Sequence, residues 1–249
     1  MVMARAPTIV QRRGVRRGRP RGGIIGRVLG ALLKLILGLV LFSILWALAY
    51  RWVNPPLTWP MARDAIRGQH VERDWVPLTR IARAVPRAAI GAEDAAFCAH
   101  SGFDLGAIEN AMARNAASAK LRGGSTISQQ TAKNAFLWPE RSWVRKGFEA
   151  YFTVLIEALW GKARIMEVYL NIAEMGPGIY GVKAAARHYF GATAATLTPR
   201  QAARLVAILP SPVQRDAAAL KGQVKRHARA IEKRIRVVRE GAIDGCLNA

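Results

Sequence analysis

Hydrophobic and polar positions divide the chain into two regimes. Between Val28 and Tyr50 nearly every position is apolar, and Lys34 is the only charge. At about 1.5 Å per residue a helix of this length reaches across a hydrocarbon layer of roughly 30 Å, with Lys34 snorkelling or set against a partner helix. Trp46, Tyr50 and Trp52 fall where an interfacial aromatic belt would sit. A buried core helix and a cleaved signal peptide share this pattern. The run is long for a signal segment, however, and no small-x-small cleavage site follows it, which favours an uncleaved transmembrane helix over 28–50.

Beyond Ile81 the apolar positions recur with a helical period, in alanine-rich segments at 81–99, 104–120, 125–137, 142–160, 162–174, 178–189, 198–208 and 221–240. Breaks such as Gly123-Gly124, Trp138-Pro139, Gly176-Pro177-Gly178 and Pro210-Ser211-Pro212 separate them, and no convincing alternating strand appears. The expectation is a mainly α fold with one domain over 81–249. Asn54-Pro55-Pro56 breaks the apolar helix, so 51–80 reads as a juxtamembrane linker, extended or irregular, lying near the membrane. In the last helix Val224, Ala228, Ile231, Ile235 and Val238 form one apolar stripe ringed by Lys225, Arg226, Arg229, Lys233 and Arg236, the pattern of a packed helix with a solvated basic face.

Charge adds an orientation. Residues 1–27 carry eight arginines and no acid, mixed with Gly and Pro, and read as a disordered basic arm. Such an arm keeps the N-terminus in the cytoplasm and sends the rest of the chain outward. Setting aside those arginines and Lys34 lowers the formal charge from +22 to +13, so the exported part is itself basic. Nucleic acid, an anionic membrane surface and a phosphorylated substrate all suit a basic chain. An exported domain disfavours nucleic acid. Cys98 and Cys246 are the only cysteines, too few for a disulfide scaffold or a metal knot; one bridge is open to them in an oxidising compartment, but sequence does not show that their backbones meet.

Three clusters carry candidate chemistry. Glu93-Asp94 with Phe97 and His100 sits among alanine, glycine and isoleucine, where partial burial raises a carboxyl towards the pKa of a general base; a helix cap is the plainer explanation of the acid pair. In Gly123-Gly124-Ser125-Thr126-Ile127-Ser128-Gln129-Gln130, Thr126 and Gln129 fit a capping box, and the glycines let backbone approach a ligand. Capping leaves Gln130 and Lys133, one turn apart on the same side, unexplained. Thirdly, Arg141, Arg145 and Glu149 share a stripe at spacing four, with Val144, Phe148, Phe152, Leu155 and Leu159 beside it. By itself this is a solvated ion-pair ladder.

Taken in order, Glu93-Asp94-x-x-Phe97-x-x-His100-x-Gly102, Gly124-Ser125-Thr126-Ile127-x-Gln129-Gln130, Arg145-Lys146-x-x-Glu149 and Glu167-x-Tyr169-Leu170-Asn171 resemble the successive motifs of the peptidoglycan glycosyltransferase family, across roughly residues 75–212. The family occurs within bifunctional penicillin-binding proteins and as a stand-alone membrane enzyme. No Ser-x-x-Lys followed by Lys-Thr-Gly is present, so the chain resembles the monofunctional form.

The resemblance implies a lysozyme-like helical domain that polymerises lipid II, with 81–249 as the glycosyltransferase domain. It implies Glu93 as catalytic base and Glu149 as the second essential glutamate. Lys133 and Arg141 are the implied phosphate-binding positions, with Arg145 and Lys146 adding to the field. Asp94, Phe97, His100, Ser125, Thr126, Gln129 and Gln130 are the remaining substrate positions. No preformed metal site is expected; a divalent cation (Mg or Mn) has a place only at the pyrophosphate. Implied partners are lipid II, the growing lipid-linked glycan, membrane lipids, and other cell-wall synthesis or division proteins. The implied location is a cell inner membrane, single-pass, with a periplasmic domain. Rival readings are a lytic transglycosylase or lysozyme-like hydrolase, which shares fold and glutamate, and a non-enzymatic divisome scaffold, which leaves the clusters as coincidence.

Overall fold

The computed structural model describes residues 24–116, 124–140 and 142–248. The arginine arm up to residue 23, the end of the helix expected over 104–120, and Arg141 lie outside the described residues. The chain divides into two units, Met1–Ser43 and Ile44–Ala249.

The described part of the first unit belongs to α1 (Ile24–Ala49), a helix of 26 residues whose Leu32, Leu33, Ile36, Leu39 and Phe42 are all exposed. At about 1.5 Å per residue it spans about 39 Å, long and apolar enough to cross a membrane and compatible with a membrane anchor. It begins four residues before the expected boundary, because Ile24, Ile25 and Gly26 continue the apolar pattern around Arg27.

The second unit is mainly helical: α2 (Trp59–Ile66), α3 (Ala84–Glu93), α4 (Leu105–Ala116), α5 (Ile127–Phe136), α6 (Trp143–Leu159), α7 (Lys162–Ile172), α8 (Val182–Phe190), α9 (Pro199–Ile208) and α10 (Gly222–Glu240). Helix starts follow local capping chemistry. Thr126 and Thr198 each close a reciprocal box with the glutamine three residues on, and Ser142 accepts the Arg145 amide. Helix α10 packs on α3 and α9, and α5 packs on α6 and α7. Small alanines at Ala88, Ala89, Ala132, Ala185 and Ala203 let these helices approach closely around Ile90, Ile127, Ile165, Leu205 and Ile231, all fully or almost fully buried. In α10 Ala228, Ile231, Ile235 and Val238 face inward as the stripe predicts, with Val224 half-buried.

Two expectations change. Residues 57–80, read as irregular, hold α2 and then β1 (Glu72–Arg73); the helix expected from 178 starts at Val182 because β2 (Glu174–Gly176) and β3 (Ile179–Tyr180) precede it. The sheet order is β1-β3-β2, with β1 parallel and β2 antiparallel to β3. Strands of two or three residues are too short to show a period of two. The fourth motif anchors this region. Asn171 Oδ1 accepts the Val76 amide at 2.8 Å and its Nδ2 donates to the Val76 carbonyl at 2.8 Å, while Glu167 Oε2 accepts the Leu78 amide at 2.8 Å.

The third motif is turned over. Arg145 and Glu149, expected as a solvated ladder, are 9% and 3% exposed, whereas Trp143 and Val144 are 91% and 67% exposed. The first two turns of α6 therefore bury charge and expose hydrocarbon, and the apolar stripe enters the core only from Phe152 onward.

Candidate active site

Glu93 closes α3, and the following turn redirects the chain at Asp94. The two adjacent carboxylates have different surroundings. Asp94 is buried and doubly satisfied: its Oδ2 accepts the Ile127 amide at 2.9 Å, and its Oδ1 lies 2.9 Å from His100 Nε2. The Gly102 amide can only donate, at 3.0 Å to His100 Nδ1, so the ring carries its proton on Nε2 and gives it to Asp94. Burial raises the Asp94 pKa against the pull of these bonds. Asp94 thus fastens the start of α5 to the loop after α3.

Glu93 is half-buried and has one side-chain hydrogen bond, from Gln130 Nε2 to its Oε2 at 3.0 Å. Burial raises its pKa, the Asp94 charge adds to this, and the Gln130 bond and the Lys133 charge oppose it. A carboxyl poised in this way is suited to take a proton.

The loop around Glu93 is braced from several sides. Phe97, placed with the substrate by resemblance, is fully buried and acts through packing; Lys162 Nζ sits 4.6 Å from its ring centre and donates to the His100 carbonyl at 2.7 Å. The same ammonium pairs at 2.7 Å with Glu157, which also accepts the Ser128 hydroxyl. Gly102 has φ +95°, and a Cβ there would meet Thr153 Cγ2 at 2.7 Å, so only glycine fits. Cys98 and Cys246 form a disulfide with Cα atoms 5.5 Å apart, answering what spacing left open. Nearby, Arg87 donates to Asp244 at 2.8 Å. The roles of Lys162 and Glu157 escaped sequence reading because Glu157 meets Ser128 29 residues away and Lys162 meets the His100 carbonyl 62 residues away.

The second cluster divides. Thr126 and Gln129 are buried: the Thr126 hydroxyl donates to the Gly102 carbonyl at 2.7 Å and accepts the Gln129 amide at 3.1 Å, while Gln129 Oε1 accepts the Thr126 amide at 3.0 Å. The Thr126 hydroxyl and the Gln129 side-chain oxygen are thereby engaged in the cap. Ser125, Gln130 and Lys133 instead line a cavity of about 740 Å³, together with Arg145, Lys146, Glu149, Arg63 and Glu174. A second cavity of about 420 Å³ is lined by Glu93, Asp94, Ser125 and Arg234. Ser125 belongs to both, and Glu93, which lines the smaller one, is hydrogen-bonded to Gln130, which lines the larger.

In the larger cavity Glu149 is shared between Arg145, at 3.0 Å, and Lys146. The Arg145 Nε is buried without a hydrogen-bond partner among the described residues. A donor left over beside two cations is suited to an anion with several oxygens. Both Glu149 oxygens are taken by these cations, and the remaining donors fit an anion.

Residues 61–239 match the family model described as Transglycosylase. The chain is 51% identical over 200 residues to a biosynthetic peptidoglycan transglycosylase of Caulobacter vibrioides, covering 80% of this chain and 87% of that one. Similar proteins of that name occur in Jannaschia sp., 49% identical over 201 residues with 81% and 82% covered, and in Rhodospirillum centenum, 47% identical over 202 residues with 81% and 87% covered. With the match running from α2 almost to the end of α10 and enclosing Glu93, Gln130, Lys133, Arg145 and Glu149, the chain belongs to the transglycosylase family.

Proposed function

We propose that this chain is a monofunctional peptidoglycan glycosyltransferase that polymerises lipid II. The observation that carries the reading is a half-buried Glu93 of raised pKa that lines one cavity and is hydrogen-bonded to Gln130, which lines a second one rich in cations. A polymerase must hold sugar units on both sides of the bond it makes, and this arrangement has room for them.

The growing chain, linked through its pyrophosphate to a lipid, is the donor. The 4-hydroxyl of an incoming lipid II attacks the donor's anomeric carbon with inversion. Glu93 takes the hydroxyl proton, the carbon–oxygen bond to pyrophosphate breaks, and the electron pair leaves with undecaprenyl pyrophosphate. Single displacement requires no enzyme nucleophile. Lys133, Arg145 and Lys146 neutralise the leaving group, Glu149 orients the last two, and the phosphate role implied for Arg141 stands on resemblance alone. A Mg or Mn ion would be held by pyrophosphate oxygens. Trp143, Val144 and Phe148 form an exposed apolar face beside the cationic cavity, suited to the lipid tails. The chain is then anchored in an inner membrane by α1, with the arginine arm in the cytoplasm and the folded unit in the periplasm. Cell-wall synthesis or division proteins are its expected companions there.

Incubating the detergent-solubilised protein with labelled lipid II tests this. Wild type should yield lysozyme-digestible polymer, and Glu93→Gln should lose about 10²- to 10⁴-fold in rate. Activity should rise with pH as Glu93 ionises, with a midpoint above the ordinary carboxylate range. The folded state holds the Glu93 proton more tightly than the unfolded chain, so this group's contribution to stability falls as pH rises from the ordinary carboxyl value through the raised one. Glu93→Gln should therefore melt no lower than wild type at neutral pH. Release of soluble fragments from purified cell walls without polymer formation would favour a hydrolase and overturn the reading.

A further inference from the structure

One carboxyl in the cavity walls has no part in the chemistry above. Glu174 opens β2, opposite Tyr180 of β3, and lines both the 740 Å³ cavity and an adjoining space of about 200 Å³ that also holds Gln130, Lys133 and Tyr169. Its carboxylate is half-buried and makes no hydrogen bond or ion pair among the described residues. The neighbouring acid differs. Asp64 is 2% exposed and saturated, taking Arg63 on one oxygen and the Tyr180 hydroxyl on the other. Arg63 is thereby committed to Asp64, so Glu174 faces a carboxylate and gains only a weak pull from that guanidinium. Burial and the Asp64 charge both raise its pKa.

A charge removed from water without a partner costs stability, and a glutamine of the same size would avoid that cost. The side chain is therefore better explained by what enters the cavity. The cations that share the cavity with it are suited to phosphate oxygens, which a carboxylate repels. The complementary partner of Glu174 is a neutral hydrogen-bond donor held close to the phosphates.

We propose that Glu174 is a specificity-determining residue that accepts a hydrogen bond from a hydroxyl or acetamido N–H of the sugar whose pyrophosphate occupies the cationic cavity. This rests on the function proposed above. It divides recognition within the cavity: Lys133, Arg145 and Lys146 read the phosphates, and Glu174 reads the sugar.

The test compares full-length wild type, Glu174→Gln and Glu174→Ala in detergent. Two probes are titrated: a lipid II analogue with a non-transferable phosphonate linkage, and undecaprenyl pyrophosphate without a sugar. Glu174→Ala should weaken the analogue about tenfold and Glu174→Gln about threefold, since a charged acceptor outperforms a neutral one. Neither change should weaken the sugar-free lipid. Analogue binding by wild type should also fall as pH drops through the Glu174 titration, with Arg63, Asp64, Tyr180 and Lys133 as the charged or titratable groups around it, and this limb should vanish in Glu174→Gln. Equal weakening of both probes would reduce Glu174 to a structural role and overturn the proposal, as would unchanged analogue binding in Glu174→Ala. If wild type neither bound the analogue nor polymerised lipid II, the function itself would fall, and this inference with it.

Discussion

Helices α6 and α10 are made of similar ingredients and are folded in opposite senses. Each combines an apolar stripe with arginines, lysines and glutamates. In α10 Ile231 and Ile235 are buried while Lys225, Arg229, Lys233 and Arg236 face solvent. In the first two turns of α6, Arg145 and Glu149 are buried while Trp143 and Val144 are bare. Both helices have an apolar core available, so hydrophobicity alone does not explain the difference. What lies opposite does. The buried stripe of α10 packs on α3 and α9, with Arg234 beside it on the smaller cavity, whereas the buried charges at the start of α6 line the larger one. Burying an ion pair is costly, and a protein with a free choice of face would have put Val144 and Phe148 inside. The inverted face is where stability gives way to function.

The comparison can be attacked from its strong side first. Glu149→Ala leaves Arg145 buried without its carboxylate, and breaking such a pair costs about 3 kcal/mol. Urea unfolding should show this loss, and polymerisation should fail at temperatures where the variant is still folded. Equal activity would make the pair a structural strut. A smaller effect is expected on the outer face. Replacing Val144 and Phe148 by Ser removes apolar contact with lipid, and KM for lipid II should rise about three- to tenfold with little change in melting temperature. If the variant melted much lower and KM stayed constant, that face would belong to the core. The smallest effect belongs to α10: Lys233→Ala should change stability by no more than about 0.5 kcal/mol and leave polymerisation unchanged. A large loss there would remove the contrast between the helices.

Much of this was legible in the sequence, and the parts that were not have a common cause. The Thr126–Gln129 box, the α10 stripe and the pairing of Gln130 with Lys133 on one helix side depend on residues three or four apart, where backbone geometry decides the outcome. The fate of Asp94 depended on the Ile127 amide, 33 residues further on, and that of Lys162 on the His100 carbonyl, 62 residues back. Motif spacing marked both neighbourhoods without distinguishing the residues that meet a ligand from those that hold the neighbourhood together. Phe97 is fully buried, and the Thr126 hydroxyl is engaged in the helix cap. Glu174 was passed over because its significance comes from a missing partner, and an unfilled valence has no signature in a chain of letters.

The Cys98–Cys246 bridge sets a timetable. Its two sulfurs are separated by 148 residues, and Cys98 sits in the loop that carries Glu93 and His100. A chain emerging from its N-terminal end delivers that loop early and its fastening last. Between those moments the helices up to α10 must be made and brought together, so that Cys246 can find the loop beneath them. Synthesis of the polypeptide and completion of the site are therefore separate events, and the second waits on an electron acceptor in whatever compartment receives the chain.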